Sequence, residues 1–171
     1  LLYGKQKADN GEIELVYRNA RRLLSLVDQL LLFRKTESET GKLELAKLDI
    51  RQVCEETFAY FIQQARSKNI QYEFNCPEQL PLLYGDREKL QIVFYNLLSN
   101  ALKYTPAHGH ISFRIMEEGE KVLAEVADSG PGIPAETGSR LFEKFYQVHK
   151  KDAQAKAGFG IGLYLVKQLV D

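Results

Sequence analysis

The run NLLSNALKYTP, Asn96 to Pro106, decides how this chain is read. On a helix advancing ~100° per residue, Asn96, Asn100 and Lys103 fall within an arc of about 60°, while Leu90, Phe94, Leu97 and Ala101 take a roughly opposite face. Two amides and an amine therefore share a stripe that faces away from the core. Amide oxygens are neutral, hard ligands of the kind that complete the shell of Mg²⁺ around a substrate phosphate. Working outward, DSGPGI (Asp128 to Ile133) ends a strand in a carboxylate, and Gly130 and Gly132 around Pro131 force a tight turn. Farther on, GFGIGL places Gly158, Gly160 and Gly162 directly before the amphipathic run Leu163, Val166, Leu169 and Val170. Such a loop presents N–H groups at a helix N-terminus, where anions bind. Taken singly, these are equally a solvated helix face, a strand-to-loop turn and a flexible loop. In this order they supply the metal, base and phosphate contacts of a nucleotide site. The spacing is GxGxG and no βαβ unit surrounds it, which argues against a dinucleotide fold, and the GK[ST] ending of a P-loop is missing.

The rest of the chain reads as two modules. Ile13, Val16, Ala20, Leu23, Val27 and Leu30 succeed one another at alternating steps of three and four, a heptad seam that wants partner helices. Leu24 and Leu31 widen it toward a four-helix bundle, and Asp9 or Asn10 is the expected cap. The same pattern also fits an amphipathic helix folded onto its own domain. The polar stretch TESETGK, Thr36 to Lys42, separates this helix from the second module. Leu43, Leu45 and Leu48 suggest a short strand. Asp49 with Gln52 opens a helix whose core face is Ile50, Val53, Cys54, Thr57, Phe58, Phe61, Ile62 and Ala65. Ile70, Tyr72 and Phe74 alternate as a strand, Pro77 and Pro81 punctuate a loop, and Asp86 caps the asparagine helix. Ile111, Phe113 and Ile115, then Val122, Ala124 and Val126, form a hairpin whose second arm runs into Asp128. Mixed helices and strands with an adjacent hairpin predict an α+β fold, one sheet covered by helices on one face.

Composition sets bounds on partners. With 23 basic and 23 acidic residues, no net charge draws the chain to nucleic acid or to an anionic membrane, so any phosphate site is local. At 171 residues and 44% hydrophobic content there is enough for a real core. No run approaches the ~18 apolar residues that cross a bilayer. Cys54 and Cys76 have neither metal-like spacing nor the number for a disulfide framework, which favours a reducing compartment.

The three segments together resemble the ATP-binding domain of sensor histidine kinases, in the superfamily that also holds gyrase, Hsp90 and MutL. NLLSNALKYTP resembles the N box, DSGPGI the first glycine box, LFEKFYQ (Leu141 to Gln147) the F box and GFGIGL the second glycine box. The resemblance implies a two-layer α/β sandwich of the Bergerat type over residues 42–171. Residues 1–38 would be part of a dimerisation and phosphoacceptor hairpin. It also implies a site for ATP and Mg²⁺, with Asn100 as the Mg²⁺ ligand and Asn96 and Lys103 beside the phosphates as catalytic residues. Asp128 would read the adenine amino group. Tyr104, Gly130, Gly132, Ile133, Phe142, Lys144, Phe145, Gly158, Gly160, Ile161, Gly162 and Leu163 would complete the ATP-binding set. Leu141 to Lys156 resembles the lid over the nucleotide, with Phe142 and Phe145 anchoring it by packing, Lys144 reaching the γ-phosphate, and Lys150, Lys151 and Lys156 solvated.

In such kinases the γ-phosphoryl of ATP passes to a histidine on the bundle and then to a response regulator. His108, His110 and His149 are the only histidines, and none lies on the heptad helix, so the acceptor motif is expected outside this chain. Members of the family also continue past the last helix with two more strands. The resemblance implies a homodimer through the heptad helix and a receiver domain as partner. It places the chain as the cytoplasmic portion of an inner-membrane-anchored sensor. Where Hsp90-like ATPases carry a glutamate that serves as base for water, this chain has Asn96, which cannot take a proton; that favours transfer over hydrolysis. A stand-alone ATPase of the superfamily and a non-catalytic nucleotide-binding scaffold are the other readings.

Overall fold

Two aspartates set the frame. The carboxylate of Asp49 accepts from the backbone N–H groups of Arg51 (3.0 Å) and Gln52 (3.3 Å), and that of Asp86 from Lys89 N (3.2 Å), so each satisfies a donor that a helix start leaves unpaired. The computed structural model describes residues 11–13, 15–17, 19, 20, 23, 27, 43–147 and 160–171. Its elements run β1 (Ala46–Leu48), α1 (Ile50–Ser67), β2 (Gln71–Asn75), β3 (Leu83–Gly85), α2 (Arg87–Tyr104), β4 (His110–Glu118), β5 (Lys121–Asp128), a 3₁₀ turn (Ala135–Arg140) and α3 (Gly162–Val170).

The strands form two sheets, where the alternation pattern predicts one. β1 pairs antiparallel with β3 as a ribbon, and β2, β4 and β5 make a three-stranded sheet in that order. Period-two alternation fixes which face of a strand is buried but not which strand it pairs with, so the split is not visible in the sequence. β2 runs parallel to β4, which requires a crossover, and α2 lies within it. β4 and β5 are antiparallel neighbours, with Ile111 opposite Asp128 as their last pair. That register carries Asp128 to the end of the sheet nearest the C-terminus of α2.

The helices cover one face. Ile111, Phe113 and Ile115 of β4 are buried against Leu98 and Leu102 of α2 and Val53 and Cys54 of α1. A chain of rings ties the layers: Phe58 stacks on Tyr72 (centroids 4.0 Å apart), Phe74 meets Phe113 at 5.4 Å, and Phe113 meets Phe94 at 5.5 Å. Burial pushes the Cys54 thiol up to about 12, as befits an inert core cysteine. The expected core face of α1 is largely met, though Phe58 and Ile62 are only half-buried. On α2 the buried arc is wider than expected. Leu98 and Leu102 are the deepest positions and Leu90 and Leu97 are half-buried, because α1, α3 and the sheet all pack on this helix. On α3 the correction is sharper: Leu165 and Val166 are buried, whereas Val170 is exposed. Leu43 and Leu45 precede β1 and are exposed.

Residues 11–13, 15–17, 19, 20, 23 and 27 are helical, and the seam positions Ile13, Val16, Ala20, Leu23 and Val27 are all exposed. Leu24, Leu30 and Leu31, the expected caps Asp9 and Asn10, and the polar stretch before Leu43 lie outside the described residues. No helix among the described residues is long and apolar enough to cross a membrane.

Candidate functional site

The asparagine stripe of α2 meets the glycine turn that opens α3. Asn96 and Asn100 are half-buried, and the Asn96 amide Nδ2 donates to Ile92 O at 2.8 Å, one turn back. A Cβ on Gly162 would lie 2.8 Å from Asn96 Oδ1 and 3.8 Å from Asn100 Nδ2. Residues more than sixty positions apart in the chain thus converge on a space that only glycine leaves open. Gly162 is the first residue of α3, so the helix begins within the glycine box itself.

Gly160 makes the second close approach. It has φ +69°, a conformation that side chains disfavour, and its carbonyl accepts from Phe145 N at 2.9 Å. A Cβ there would lie 2.5 Å from Tyr146 O. Phe145, within the expected lid, is thereby tied to Gly160, which lies beyond the lid's expected bound at Lys156. Ile161 behind it is buried and Leu163 half-buried.

The lid root departs from expectation. Phe145 is 66% exposed, so its ring does not anchor the lid by packing, and Phe142, 40% exposed, is covered only in part. Phe145 sits at φ +64°, and its clasp to Gly160 uses the backbone in place of the ring. Rings farther along do the holding: Lys144 Nζ lies 4.8 Å from the Tyr164 centroid, and the Arg140 guanidinium 4.4 Å from that of Tyr146. Lys144 thus lies against Tyr164, in the first turn of α3. Gly158, His149, Lys150, Lys151 and Lys156 lie outside the described residues.

Asp128 ends β5 with its carboxylate exposed. One oxygen, Oδ1, accepts from Gly130 N at 2.7 Å, which shapes the turn and leaves the other oxygen for a ligand. A Cβ on Gly130 would meet Asp128 Oδ1 at 2.5 Å and Tyr104 O at 3.3 Å, so this turn abuts the end of α2. Gly132 (φ +67°) and Ile133 (58% exposed) extend into open space. Lys103 Nζ rests 4.7 Å from the ring centroid of Tyr104, which is itself exposed. The structure thus joins Asn96 and Asn100 to Gly162, and Tyr104 to Gly130 and Asp128.

Three residues near this site are given no role by the sequence pattern, although Thr105 lies within NLLSNALKYTP and Ser129 within DSGPGI. Thr105 is 1% exposed, and its Oγ1 is the one buried side-chain polar atom without a hydrogen-bond partner among the described residues. Gly109 and Ser129 pack against each other beside it. Gly109 is marked only as a glycine between two histidines at a strand entrance, which periodicity does not weigh. Among the described residues no three His, Cys, Asp or Glu side chains gather as a metal site. A metal here would draw on amide oxygen and on the phosphates of its substrate, and Asn96 Oδ1, facing the Gly162 turn, fits that chemistry.

Residues 85–171 match the family described as histidine kinase-, DNA gyrase B- and HSP90-like ATPase, which is more than half of the chain. Histidine kinase P4 of Formosa agariphila is 32% identical over 160 residues, covering 92% of this chain and 12% of that protein. Full-length ShkA, solved in complex with AMPPNP, has a TM-score of 0.72 at 30% identity and covers 86% of this chain and 30% of its own. Histidine kinase ThkA, solved with the response regulator protein TrrA, has a TM-score of 0.64 at 26% identity, covering 78% of this chain and 39% of its own. The chain therefore spans well under half the length of each of these three. By the family match over more than half of its length, the chain belongs to the histidine kinase-, DNA gyrase B- and HSP90-like ATPase family.

Proposed function

We propose that this chain is the ATP-binding catalytic part of a sensor histidine kinase. The observation that carries the reading is the convergence of Asn96 and Asn100 on Gly162, at the N-terminus of α3. Triphosphate lies against the N–H groups of the Gly160 to Leu163 turn, with the α3 dipole behind them. Asn100 would hold Mg²⁺ through its amide oxygen, with Asn96 and Lys103 beside the phosphates. Mg²⁺, when bound, offsets negative charge on the phosphates as the γ-phosphoryl leaves. Asp128 accepts from the adenine amino group, and guanine, with a carbonyl there, leaves that carboxylate unpaired. Lys144 is the lid residue for the γ-phosphate, moving off the Tyr164 ring as the lid closes.

The acceptor is a histidine imidazole on a dimerisation helix. Its ring nitrogen forms the new N–P bond as the bond from γ-phosphorus to the bridging oxygen breaks and ADP departs. Asn96 favours this outcome over hydrolysis, since an amide cannot take a proton from water. Residues 1–38 belong to the dimerisation hairpin and 42–171 to the catalytic domain, with Ile13, Val16, Ala20, Leu23, Val27 and Leu30 as the seam of a homodimer. A response regulator receiver domain takes the phosphoryl onward. The membrane anchor of such a sensor lies elsewhere in the protein.

The test fuses the chain to a helix carrying an acceptor histidine and follows radiolabelled γ-phosphate. Acid-labile label that requires Mg²⁺ and is lost in Asp128→Asn is expected. Steady ATP hydrolysis without label would move the chain to the ATPase reading, and no nucleotide binding by the folded chain to the scaffold reading.

A further inference from the structure

Asp128 is the last paired residue of β5, and nothing in the ladder itself holds the turn beyond it. Ser129 supplies that hold. Its backbone N–H donates to His110 O at 3.0 Å, and its hydroxyl Oγ accepts from His110 N at 2.8 Å, so one residue closes both hydrogen bonds across nineteen positions of chain. His110 is fixed from the other side as well. Gln71 N of β2 donates to Gly109 O at 2.9 Å, and Gly109 N donates to Pro106 O at 3.1 Å. The turn bearing Asp128 is thereby tied to β4, and through the Gly109 loop to β2 and the end of α2.

This arrangement depends on Gly109. A Cβ there would run into Thr105 Cγ2, and it would lie 2.8 Å from Ser129 Oγ and 3.0 Å from Pro106 O. Two of these neighbours are a buried methyl and a backbone oxygen, which have little room to yield. Any side chain at 109 displaces the Ser129 hydroxyl from His110 N.

We infer that Ser129 is a positioning residue for the adenine contact, holding Asp128 in register through His110, with Gly109 as the space that permits it. The inference rests on the reading of Asp128 as the group that reads the base. Ser129 acts through the turn and does not itself touch the nucleotide. Adenine, which donates to Asp128, depends on where that carboxylate sits. A guanine nucleotide is held by its phosphates and does not.

The experiment titrates the 171-residue chain with AMPPNP, and by competition with a non-hydrolysable GTP analogue, in wild type, Ser129→Ala, Ser129→Thr, Gly109→Ala and Asp128→Asn. Loss of one hydrogen bond that orients a ligand predicts AMPPNP binding about fivefold to tenfold weaker in Ser129→Ala, with the GTP analogue unchanged. Ser129→Thr, which keeps the hydroxyl, restores AMPPNP binding, and Gly109→Ala shows the same loss of adenine preference. Because the Ser129–His110 bond is exposed, Ser129→Ala melts within a few degrees of wild type. Weakening of both nucleotides alike, or a melting point far below wild type, would assign Ser129 to stability and overturn the inference. So would Ser129→Ala binding as wild type while Asp128→Asn binds weakly, which leaves the adenine reading standing. Undiminished binding by Asp128→Asn overturns both.

Discussion

Gly162 separates two demands that usually coincide. As the first residue of α3 it carries the helix penalty of glycine, and alanine there favours the helix by up to ~1 kcal/mol. Against this, an added Cβ would press on Asn96 Oδ1 at 2.8 Å, and Asn96 is held by its bond to Ile92 O. Gly162→Ala is therefore expected to keep its thermal stability within about 1 kcal/mol of wild type while AMPPNP binding falls at least about tenfold. Calorimetric titration beside a thermal melt checks this; unchanged affinity would show that the asparagine stripe is not the metal and phosphate side. The asparagines are legible in the sequence because their chemistry and their helical spacing agree. The contact of Gly109 with Thr105 and Ser129 is not, even though the latter two lie within the quoted motifs, because it joins separate segments, and a lone glycine beside a histidine carries no period. Phe145 misleads for the opposite reason: phenylalanine is usually buried, but here the backbone clasp to Gly160 leaves its ring outside.

At the scale of elements, helix starts are readable from their caps, and Asp86 does more than cap. It is buried, and its carboxylate accepts from Lys89 N and from Glu44 N (3.1 Å) and pairs with Lys89 Nζ at 3.3 Å. It thus ties the approach to β1 to the start of α2, the helix that carries the site. Burial alone would raise its pKa, but the Lys89 and Glu44 N–H groups and the Lys89 ammonium outweigh it and hold the carboxyl below its ordinary 3.8. A depressed folded value means that the stabilisation is complete above the unfolded value and is lost as pH falls through the folded one. Asp86→Ala should cost about 1–2 kcal/mol near pH 7, and the gap to wild type should narrow as pH falls below the ordinary 3.8 and through the lowered folded value. Asp86→Asn, which still caps but cannot pair with Lys89, should lie between. Urea unfolding across this pH range decides it, and a gap independent of pH would mean that the carboxylate charge contributes nothing. What the sequence pattern does not reveal is the second ribbon: Leu83 to Gly85, too short to show a period and preceded by the Pro77 and Pro81 loop, pairs with Ala46 to Leu48 apart from the main sheet.

Across the whole molecule, the described residues from 43 onward bury one core, while the described seam positions on the preceding helix are all exposed. Ile13, Val16 and Leu23 are each over 60% exposed and Val27 is 49% exposed, at heptad spacing. Full burial of such a side chain contributes about 1.5–3 kcal/mol, so a copy of the same seam would be a strongly favourable cover. A two-fold bundle satisfies the pattern with like residues on both sides. The chain is therefore expected to sediment as a concentration-dependent dimer, and Leu23→Asp to shift it to monomer by placing an unpaired charge in the seam. Nucleotide affinity should not change with it, since Asn96, Asn100, Asp128 and Gly162 are assembled by α2, β5 and α3 without any seam residue. Phosphotransfer in the fused protein should fall with dimerisation if the acceptor is presented by the bundle. A wild type that stays monomeric at every concentration would return the helix to the simpler role of an amphipathic segment folded onto its own domain, and Leu23→Asp would then destabilise the fold while leaving the sedimentation profile unchanged.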